Sequence, residues 1–453
     1  MNTSDTLRLL TDFVAIESVS TDASRKPAMQ NAADFLCSQL ESIGFTSSQQ
    51  SINGSAPFVV GIYIHNPSAA TIGIYGHYDV QPEDPVEEWN SPPFKLTQKE
   101  GKLYGRGVAD DKGHIIQNLV ALRELVSTKR LKKNVVCFFE GEEESGNKNL
   151  EEFLSTPENA QLLNVDAWFV TDMGARGSGE PQIYNGLRGI VYFELDIETG
   201  FSDTHSGVYG NRIYNPAQIL TELVASMKES ATGVVKILHF YEDIIQPSPE
   251  EYAHLVSQAD TEDSLLKKSR AFVLPKKWGP FPGFPTDIPL SLTSKLLPSL
   301  DINGMSSGYT QAGVKTVIPR KAMLKFSCRI VPGQRVEKVI SLVREHIEAH
   351  VPEGIKYELT SVESSEAFYA GVDNPWVQET AAKLEKVFGN PVRFSRSGGS
   401  IPVAEALQRH FGKPVILTGF TLPDDNLHAP NENYDEEMFW KGIEALKRIY
   451  GVL

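Results

Sequence analysis

Two histidines and several carboxylates in this sequence of 453 residues have the residue types and spacing of metal ligands. His77 and Asp79 lie in the segment Gly76-His77-Tyr78-Asp79, and in an extended segment a spacing of two places both side chains on the same side. A carboxylate beside an imidazole is the usual partner that orients a metal-binding histidine. Alone, the pair would equally suit a polar turn at a strand end, so its meaning depends on the other acidic turns.

Asp110 and Asp111 stand directly before an amphipathic segment that begins at Gly113. One aspartate would suffice to cap a helix there, with a stabilisation of about 0.5–2 kcal/mol. Capping leaves the second aspartate unexplained. This turn is therefore a second candidate for metal binding.

Three more turns carry candidate groups. The apolar run 135–139 ends in Glu140-Gly141-Glu142-Glu143-Glu144, where unpaired carboxylates would repel one another unless a cation joins them. Asp172 ends the next apolar run, a position that by itself would suit an ordinary cap. His428 lies in the loop 423–430, for which packing offers no evident reason, although a plain surface histidine is the alternative.

These turns together supply two imidazoles and three carboxylates. The candidate ligands are His77, Asp110, Glu144, Asp172 and His428. If one carboxylate bridges two ions, each ion receives one histidine and two carboxylate contacts, with room for a shared water, as in hydrolases whose two ions lie about 3.5–4 Å apart. Glu143, which is left over, could take a proton from that water and pass it to a leaving amine.

Hydrophobic periodicity places these turns after the strands of an α/β sheet. Helical spacing covers 5–16, 28–40 and 113–128, and strands are predicted at 57–64, 71–75, 135–139 and 167–170. The first two strands are expected to form a hairpin or to be near neighbours. Strands that are apolar on both faces and alternate with helices indicate a mostly parallel sheet with helices on both faces. Ligands bind at the carboxyl edge of such sheets.

The pattern changes after Gly186 and returns near Pro375. Between them, alternating strands at 190–197 and 322–330 and helices at 216–228 and 336–350 indicate a separate α+β unit, and later elements are expected at 377–387, 415–418 and 435–450. We predict a catalytic domain of residues 1–186 and 366–453, interrupted by an inserted domain of residues 187–365. The Pro-rich stretch 246–300 does not resolve into elements.

Composition narrows the class of protein. The 43 Lys and Arg against 58 Asp and Glu give a net charge of −15, which argues against a surface that tracks nucleic-acid phosphates. The three cysteines are few and odd in number, which favours a reducing compartment over a disulfide framework. The first residues lack the pattern of a signal peptide, and an apolar run of about 18 residues is missing. We expect a soluble cytoplasmic protein with neither membrane nor nucleic acid as partner.

Three ordered motifs make the chain resemble a known family. They are Gly76-His77-Tyr78-Asp79-Val80-Gln81-Pro82, Gly105-Arg106-Gly107 to Asp110-Asp111-Lys112-Gly113, and Glu140-Gly141-Glu142-Glu143-Glu144-Ser145-Gly146. They are similar to the dizinc exopeptidases and amidohydrolases that include cytosolic nonspecific dipeptidase, carnosinase, acetylornithine deacetylase and carboxypeptidase G. The resemblance covers nearly the whole chain and is greatest to the dipeptidase and carnosinase branch.

This resemblance implies a role for each candidate residue. It implies that Asp110 bridges the two ions, that His77 and Asp172 complete one site and that Glu144 and His428 complete the other. It also implies that Glu143 is general base and then general acid, that Asp79 supports His77, and that the peptide bond between Asp110 and Asp111 is cis. The implied metal is zinc, with manganese as the alternative.

Further matches fall within or near the inserted domain. The resemblance implies that this domain is a lid and also the dimerisation domain of a homodimer. Asp203-Thr204-His205-Ser206-Gly207 resembles the segment whose histidine reaches the partner subunit's active site and stabilises the oxyanion. Lys315 to Pro319 and Phe326 to Arg329 resemble substrate-contacting strands. Without the resemblance, His205 would be a loop histidine and Arg329 a surface cation. The implied substrate contacts are His205, Thr316, Arg329, Ser400 and His428.

Two other motifs are weaker. His346 and His350 flank Glu348 on a predicted helix, but the order differs from His-Glu-x-x-His, so a solvated helix surface is the better interpretation. Gly304-Met305-Ser306-Ser307-Gly308 matches a nucleophile elbow by letter, yet the strand-turn-helix context is missing, and a flexible turn is expected there.

The sequence therefore predicts a metal-dependent dipeptidase of broad substrate range. An N-acyl-amino-acid deacylase, of the acetylornithine deacetylase or succinyl-diaminopimelate desuccinylase type, could use the same ions and base on an acyl amide. A metal-dependent binding protein without catalysis is less favoured, because every residue that the mechanism requires is present.

Overall fold

The computed structural model describes residues 2–146, 149–257, 288–399 and 401–451, together with 259, 267, 271–273 and 277–278. The chain divides into two compact units, one of residues 1–185, 370–394 and 406–453, the other of residues 186–369 and 395–405. The predicted boundary at 366 had placed 395–405 in the first unit, whereas their contacts are with the second.

The described helices and strands have the following bounds. The helices are α1 (Thr3–Val14), α2 (Lys26–Ile43), α3 (Lys112–Ser127), α4 (Leu150–Ser155), α5 (Pro157–Leu162), α6 (Ser206–Tyr209), α7 (Pro216–Met227), α8 (Pro249–Val256), α9 (Leu290–Leu296), α10 (Val336–His350), α11 (Pro375–Phe388), α12 (Pro402–Phe411) and α13 (Glu436–Tyr450). The strands are β1 (Thr46–Gln50), β2 (Phe58–Tyr63), β3 (Thr71–His77), β4 (Thr97–Lys99), β5 (Lys102–Tyr104), β6 (Asn134–Glu140), β7 (Ala167–Val170), β8 (Gln182–Leu187), β9 (Gly189–Glu198), β10 (Thr204–His205), β11 (Lys277–Trp278), β12 (Ile288–Pro289), β13 (Ser299–Ser307), β14 (Val317–Ile318), β15 (Lys321–Ile330), β16 (Lys356–Ser365), β17 (Phe368–Tyr369), β18 (Arg393–Ser397), β19 (Val415–Thr418) and β20 (Asn433–Asp435).

The first unit is built on a mixed sheet in the order β1-β2-β6-β3-β7-β19-β8. The central strands β6, β3, β7 and β19 run parallel, and β1, β2 and β8 pair antiparallel at the sides. The predicted α/β class with a mainly parallel central sheet is confirmed. Of the two alternatives for β2 and β3, the hairpin is wrong, because β6, which is buried along its whole length, lies between them and pairs with both. The two strands are near neighbours, one strand apart.

Helices cover both faces of this sheet. On one face a side chain at Gly76 would meet Ile115 of α3. On the opposite face Tyr75 packs against Phe138, which stacks on Phe153 of α4 with ring centroids 5.3 Å apart. The parallel strands β3, β6 and β7 therefore end together at one edge of a sheet that is closed on both sides, and the acidic turns follow at that edge.

The second unit contains an antiparallel sheet in the order β13-β15-β9-β16. Its apolar face packs against α7 and α10, through residues such as Leu195, Leu223, Phe326 and Val343. The segment 304–308 was expected to be a flexible turn, and this is wrong: Met305 pairs with Leu324 and Ser306 with Met323 along β13. The pairing partner lies far along the chain, so local sequence does not reveal it.

Among the described residues, no helix combines the length and the apolar character needed to cross a membrane.

Candidate metal centre

The carboxyl edge of the sheet in the first unit brings the candidate ligands together. His77 ends β3, Glu143 and Glu144 begin a short 3-10 helix after β6, and Asp172 follows β7. Asp110 precedes α3, and His428 lies in the loop between β19 and β20. Two groups share Asp110, one with His77 and Asp172 and the other with Glu144 and His428, and within each group one ligand atom per residue lies within 4.8 Å of the others.

Asp110 presents one carboxylate oxygen to each group. Its Oδ1 lies 3.0 Å from Nε2 of His77, and its Oδ2 lies 2.9 Å from Nε2 of His428. The same His77 nitrogen is 3.6 Å from Oδ2 of Asp172, and the same His428 nitrogen is 3.4 Å from Oε1 of Glu144. A carboxylate that faces two imidazole–carboxylate pairs has the geometry needed to bridge two cations. The peptide bond between Asp110 and Asp111 is cis, as the resemblance implies.

The donor atoms suit divalent cations. Oε1 of Glu144 is buried, in a side chain that is 4% exposed, and has no hydrogen-bond partner among the described residues. A buried acceptor without a partner is costly, and a cation would satisfy it. Imidazole nitrogens with carboxylate oxygens form a donor set that zinc and manganese accept. The residues therefore fit a pair of divalent ions.

Charges at the site favour the same conclusion. Burial, followed by the charge of Asp111, raises the pKa of Asp172 to about 7, and burial with the charge of Asp110 raises the pKa of Glu144 to about 8. The hydrogen bond to Asp110 raises the pKa of His428 to about 9. In the absence of metal, bound protons thus neutralise the negative charge of the crowded carboxylates, and divalent cations would replace these protons.

His428 has an unusual backbone conformation. Its φ is 61°, in the left-handed region that residues other than glycine rarely adopt. Its side chain is 54% exposed, although Nε2 reaches Asp110. Strained backbone at a polar loop residue is characteristic of ligand-binding positions.

Asp79 holds both His77 and the acidic turn. Its Oδ1 lies 3.4 Å from Nδ1 of His77, whose Nδ1 is also 3.1 Å from the Asp79 carbonyl oxygen. The same carboxylate accepts hydrogen bonds from the backbone N–H groups of Glu143, at 3.3 Å, and Glu144, at 3.0 Å. Asp79 therefore contacts His77, as predicted, and also the segment that contains Glu143, the expected general base.

Glu143 is a buried carboxyl group with a raised pKa. Burial is the largest cause of its raised pKa, which lies well above 4.5. The charge of His77 opposes this shift, and those of Asp172, Glu144 and Asp79 add to it. A raised pKa makes a buried carboxyl group easier to protonate, which is a requirement for a residue that takes up a proton.

A third group, formed by Asp111, His114 and Asp172, also has ligand atoms within 4.8 Å of one another. Both ring nitrogens of His114 are engaged, however. Nδ1 lies 2.9 Å from Oδ1 of Asp111, and Nε2 accepts a hydrogen bond from the backbone N–H of Phe420 at 3.3 Å. Burial lowers the pKa of His114 to about 4. His114 therefore acts as a neutral donor that holds Asp111 and has no lone pair left for an ion.

Sequence reasoning missed three side chains that support the site. Gln81 donates from Nε2 to Oε2 of Glu144 at 2.7 Å, and Arg106 and Glu432 form a buried ion pair beneath Asp110. Glu432 lies four positions after His428, and Arg106 lies between two glycines before Asp110. Proximity in sequence to the candidate ligands was the available signal, but it does not identify a contact.

The residues predicted in the inserted domain are placed separately. His205, exposed at the end of β10, pairs with Val317 of β14, and the backbone N–H of Ser206 donates to the Thr316 carbonyl oxygen at 3.1 Å. The structure thus brings His205 and Thr316 together. Arg329 lies in another sheet of this unit, on β15 opposite Ile190. Ser400 lies outside the described residues.

Comparison with known proteins identifies relatives along the whole chain. Residues 73–451 match peptidase family M20/M25/M40. The Cys-Gly metallodipeptidase dug1 of Schizosaccharomyces pombe is 30% identical over 96% of this chain and 92% of its own length. The Beta-Ala-His dipeptidase of Homo sapiens is 28% identical over 86% of this chain and 76% of its own.

Solved structures give the same result. A metallo-carboxypeptidase of the M20 family from Sulfolobus solfataricus has a TM-score of 0.84 and 27% identity, and the alignment covers 99% of both chains. The di-peptidase Dug1p from Saccharomyces cerevisiae has a TM-score of 0.76 and 27% identity, covering 99% of this chain and 96% of its own.

Proposed function

Because the chain belongs to peptidase family M20/M25/M40, we propose that it is a metallopeptidase whose first unit hydrolyses the peptide bond of dipeptides. The observation that carries this proposal is the position of Asp110, whose two oxygens face two separate imidazole–carboxylate pairs. The names of two similar relatives, a Cys-Gly metallodipeptidase and a Beta-Ala-His dipeptidase, support a dipeptide as the substrate. An N-acyl-amino-acid deacylase is less well supported by these relatives.

In this proposal Asp110 bridges two divalent ions, zinc or alternatively manganese. His77 and Asp172 complete one site, and Glu144 and His428 complete the other. The two groups of ligand atoms around Asp110 support this division. The buried Glu144 oxygen, which lacks a hydrogen-bond partner among the described residues, supports a cation at the second site.

The residues of the chain then divide the chemistry of hydrolysis. When bound, the ions would lower the pKa of a shared water and polarise the substrate carbonyl. Glu143 accepts a proton from the attacking water and delivers it to the leaving amine. Asp79 keeps the Glu143 backbone and the His77 ring in place through its contacts to both. The raised pKa of Glu143 suits a group that must hold this proton until the amine leaves.

We also propose that the protein forms a homodimer in which the second unit is the lid and His205 stabilises the oxyanion in the partner's active site. Nδ1 of His205 accepts a hydrogen bond from the Gly207 N–H at 3.0 Å, so Nε2 of the neutral ring carries the proton and can donate it. Thr316, Arg329 and Ser400 are the remaining proposed substrate contacts. Three cysteines without a disulfide support a cytoplasmic location.

A substrate comparison tests this function. The protein is stripped of metal with a chelator, reloaded with Zn²⁺ or Mn²⁺, and assayed on Cys-Gly, β-Ala-His and other dipeptides, a tripeptide, and N-acetylated and N-succinylated amino acids. We expect hydrolysis of dipeptides that depends on the added metal. Turnover of the acylated amino acids alone would overturn the proposal in favour of a deacylase, and metal binding without any turnover would indicate a binding protein.

A further inference from the structure

An ion pair with no role in the proposed chemistry lies directly beneath the metal centre. Nη1 of Arg106 is 2.6 Å from Oε2 of Glu432, and the two side chains are 1% and 0% exposed. The residues are 326 positions apart in the chain. Removing two charges from water costs more than such a pair usually returns in stability, so a buried ion pair is weak evidence for a stabilising role. Its contacts point to another role.

Glu432 organises the loop that ends in Asp110. Its Oε2 accepts from the Gly107 N–H at 3.0 Å, and its Oε1 accepts from the N–H groups of Ala109, at 2.9 Å, and Asp110, at 3.1 Å. Its backbone carbonyl accepts from the Gly105 N–H at 3.1 Å. Gly107 has a φ of 81°, a conformation that suits glycine and that turns successive N–H groups toward one carboxylate. The position of Asp110 is therefore set by Glu432.

Arg106 ties two further segments to the same carboxylate. Its Nη2 donates to the carbonyl oxygens of Pro82, at 3.1 Å, and Ala429, at 3.3 Å, and its guanidinium lies over the ring of Trp89, 5.3 Å from the centroid. Pro82 follows His77 in the turn after β3, and Ala429 follows His428 directly. One ion pair thus links the three segments that contain His77, Asp110 and His428.

We propose that the Arg106–Glu432 pair is a positioning device for the metal centre, which sets the relative positions of Asp110 and His428 before ions bind. The inference rests on the proposed two-metal site and adds two residues to it, neither of which touches an ion or the substrate. Groups that orient metal ligands change metal affinity by about 10- to 100-fold when they are replaced. A pair that only stabilised the fold would lower the melting temperature and leave metal affinity unchanged.

The test titrates metal-free protein with Zn²⁺ in a calorimeter and compares wild type, Glu432→Gln and a control. The substitution Glu432→Gln would place an amide N–H₂ where a carboxylate oxygen now accepts hydrogen bonds, so donors would face donors. The matched control is Glu251→Gln in the second unit, where Glu251 and Arg396 form an equally buried pair, 2% and 1% exposed, with Nε and Oε1 2.6 Å apart. We expect Glu432→Gln to bind at least one ion about 10- to 100-fold more weakly, and Glu251→Gln to bind both ions with wild-type affinity.

The outcomes separate this inference from the proposed function. A wild-type protein that binds no Zn²⁺ would refute the metal centre itself. Two ions bound with wild-type affinity by Glu432→Gln, with a melting temperature lowered as in Glu251→Gln, would overturn the positioning role alone. If Glu432→Gln fails to fold, Arg106→Lys decides. Lysine keeps the charge, but its single ammonium group cannot contact Glu432, Pro82 and Ala429 at once as the planar guanidinium does. We therefore expect Arg106→Lys to bind Zn²⁺ more weakly, and wild-type affinity would overturn the proposal.

Discussion

Asp110 and His428 are 318 positions apart in the chain, yet Oδ2 of the aspartate lies 2.9 Å from Nε2 of the histidine. The other oxygen of Asp110 lies 3.0 Å from His77. One carboxylate therefore contacts an imidazole from each of two ligand groups.

Replacing Asp110 should affect both ions, whereas replacing Asp172 should affect one. In Asp110→Asn we expect the affinity of both sites for Zn²⁺ to fall more than about 100-fold, because each site loses an anionic ligand. Losing a ligand lowers metal affinity more than losing a group that only orients a ligand. Metal content after gel filtration, measured by atomic emission, checks this. A retained pair of ions in Asp110→Asn would contradict the bridging role, and Asp172→Asn serves as the one-site comparison.

Glu143 should be needed for turnover and not for metal binding. Its replacement by Ala is expected to lower kcat by about 10²- to 10⁴-fold, the usual contribution of a proton-transferring group, while two ions remain bound. The neighbouring Glu142 is the control. Its carboxylate accepts from the Ala56 N–H at 3.0 Å and from Nδ2 of Asn149 at 3.2 Å, away from the ligand groups. Unchanged hydrolysis by Glu143→Ala would remove its assigned role.

Asp79 should support metal binding without touching an ion. In Asp79→Asn the turn of Glu143 and Glu144 loses an anionic acceptor, and Nδ1 of His77 keeps the backbone carbonyl but loses the carboxylate charge 3.4 Å away. We therefore expect Zn²⁺ affinity to fall about 10- to 100-fold. Asp166→Asn is a matched control, because Asp166 accepts from the Thr71 N–H at 2.8 Å at the opposite end of β3. Equal affinities in the two variants would refute the prediction for Asp79.

Metal-free protein should lose stability as the pH rises. Asp172 and Glu144 have pKa values of about 7 and 8, above the ordinary 3.8 and 4.5, and His428 has a pKa of about 9, above 6.5. At these three groups the folded state binds more protons than the unfolded state between about pH 4 and 9, so their contribution to the free energy of unfolding falls with rising pH. His114 and Lys112, whose pKa values burial lowers to about 4 and about 7, act in the opposite direction and reduce the slope without reversing it. The lowered pKa of Asp110 acts below this window.

Melting temperatures of the metal-free and Zn²⁺-loaded forms between pH 5.5 and 8.5 measure this effect. We expect the gain from Zn²⁺ to grow with pH, because ions replace protons at the same groups, and we expect protons to be released on metal addition near pH 6.5. A metal-free protein that becomes more stable over this range would contradict the prediction.

If His205 acts in the partner subunit, two inactive variants should complement each other. Mixed dimers of His205→Ala and Glu143→Ala would contain one active site with an intact base and an intact His205. A purified heterodimer should recover about half of the wild-type activity, because one of its two sites is complete. A 1:1 mixture that pairs at random should recover about a quarter, because only half of its dimers are mixed. A purified heterodimer without recovered activity would show that His205 acts within its own subunit or not at all.

Much of the secondary structure could be predicted where a pattern is local and strong. The continuous apolar run of β7 predicted 167–170, and the helical period of α10 predicted 336–350, both as observed. Exposed edge strands were missed, among them β1, in which every residue is polar, because their hydrogen bonds rather than their hydrophobicity define them. A hairpin of β2 and β3 was also wrong, because β6, from residues 134–140, lies between them.

The sequence by itself determined which side chains are of metal-ligand type and that they follow buried strands, because ligand chemistry and hydrophobic periodicity are properties of the residues and their immediate neighbours. Only the tertiary structure decided that the two oxygens of Asp110 face His77 and His428, and that Arg106 and Glu432 lie beneath them. The contact of Asp110 with His428 joins segments 318 positions apart, and that of Arg106 with Glu432 joins segments 326 positions apart. Packing of the whole sheet brings such segments together, and no local pattern relates them.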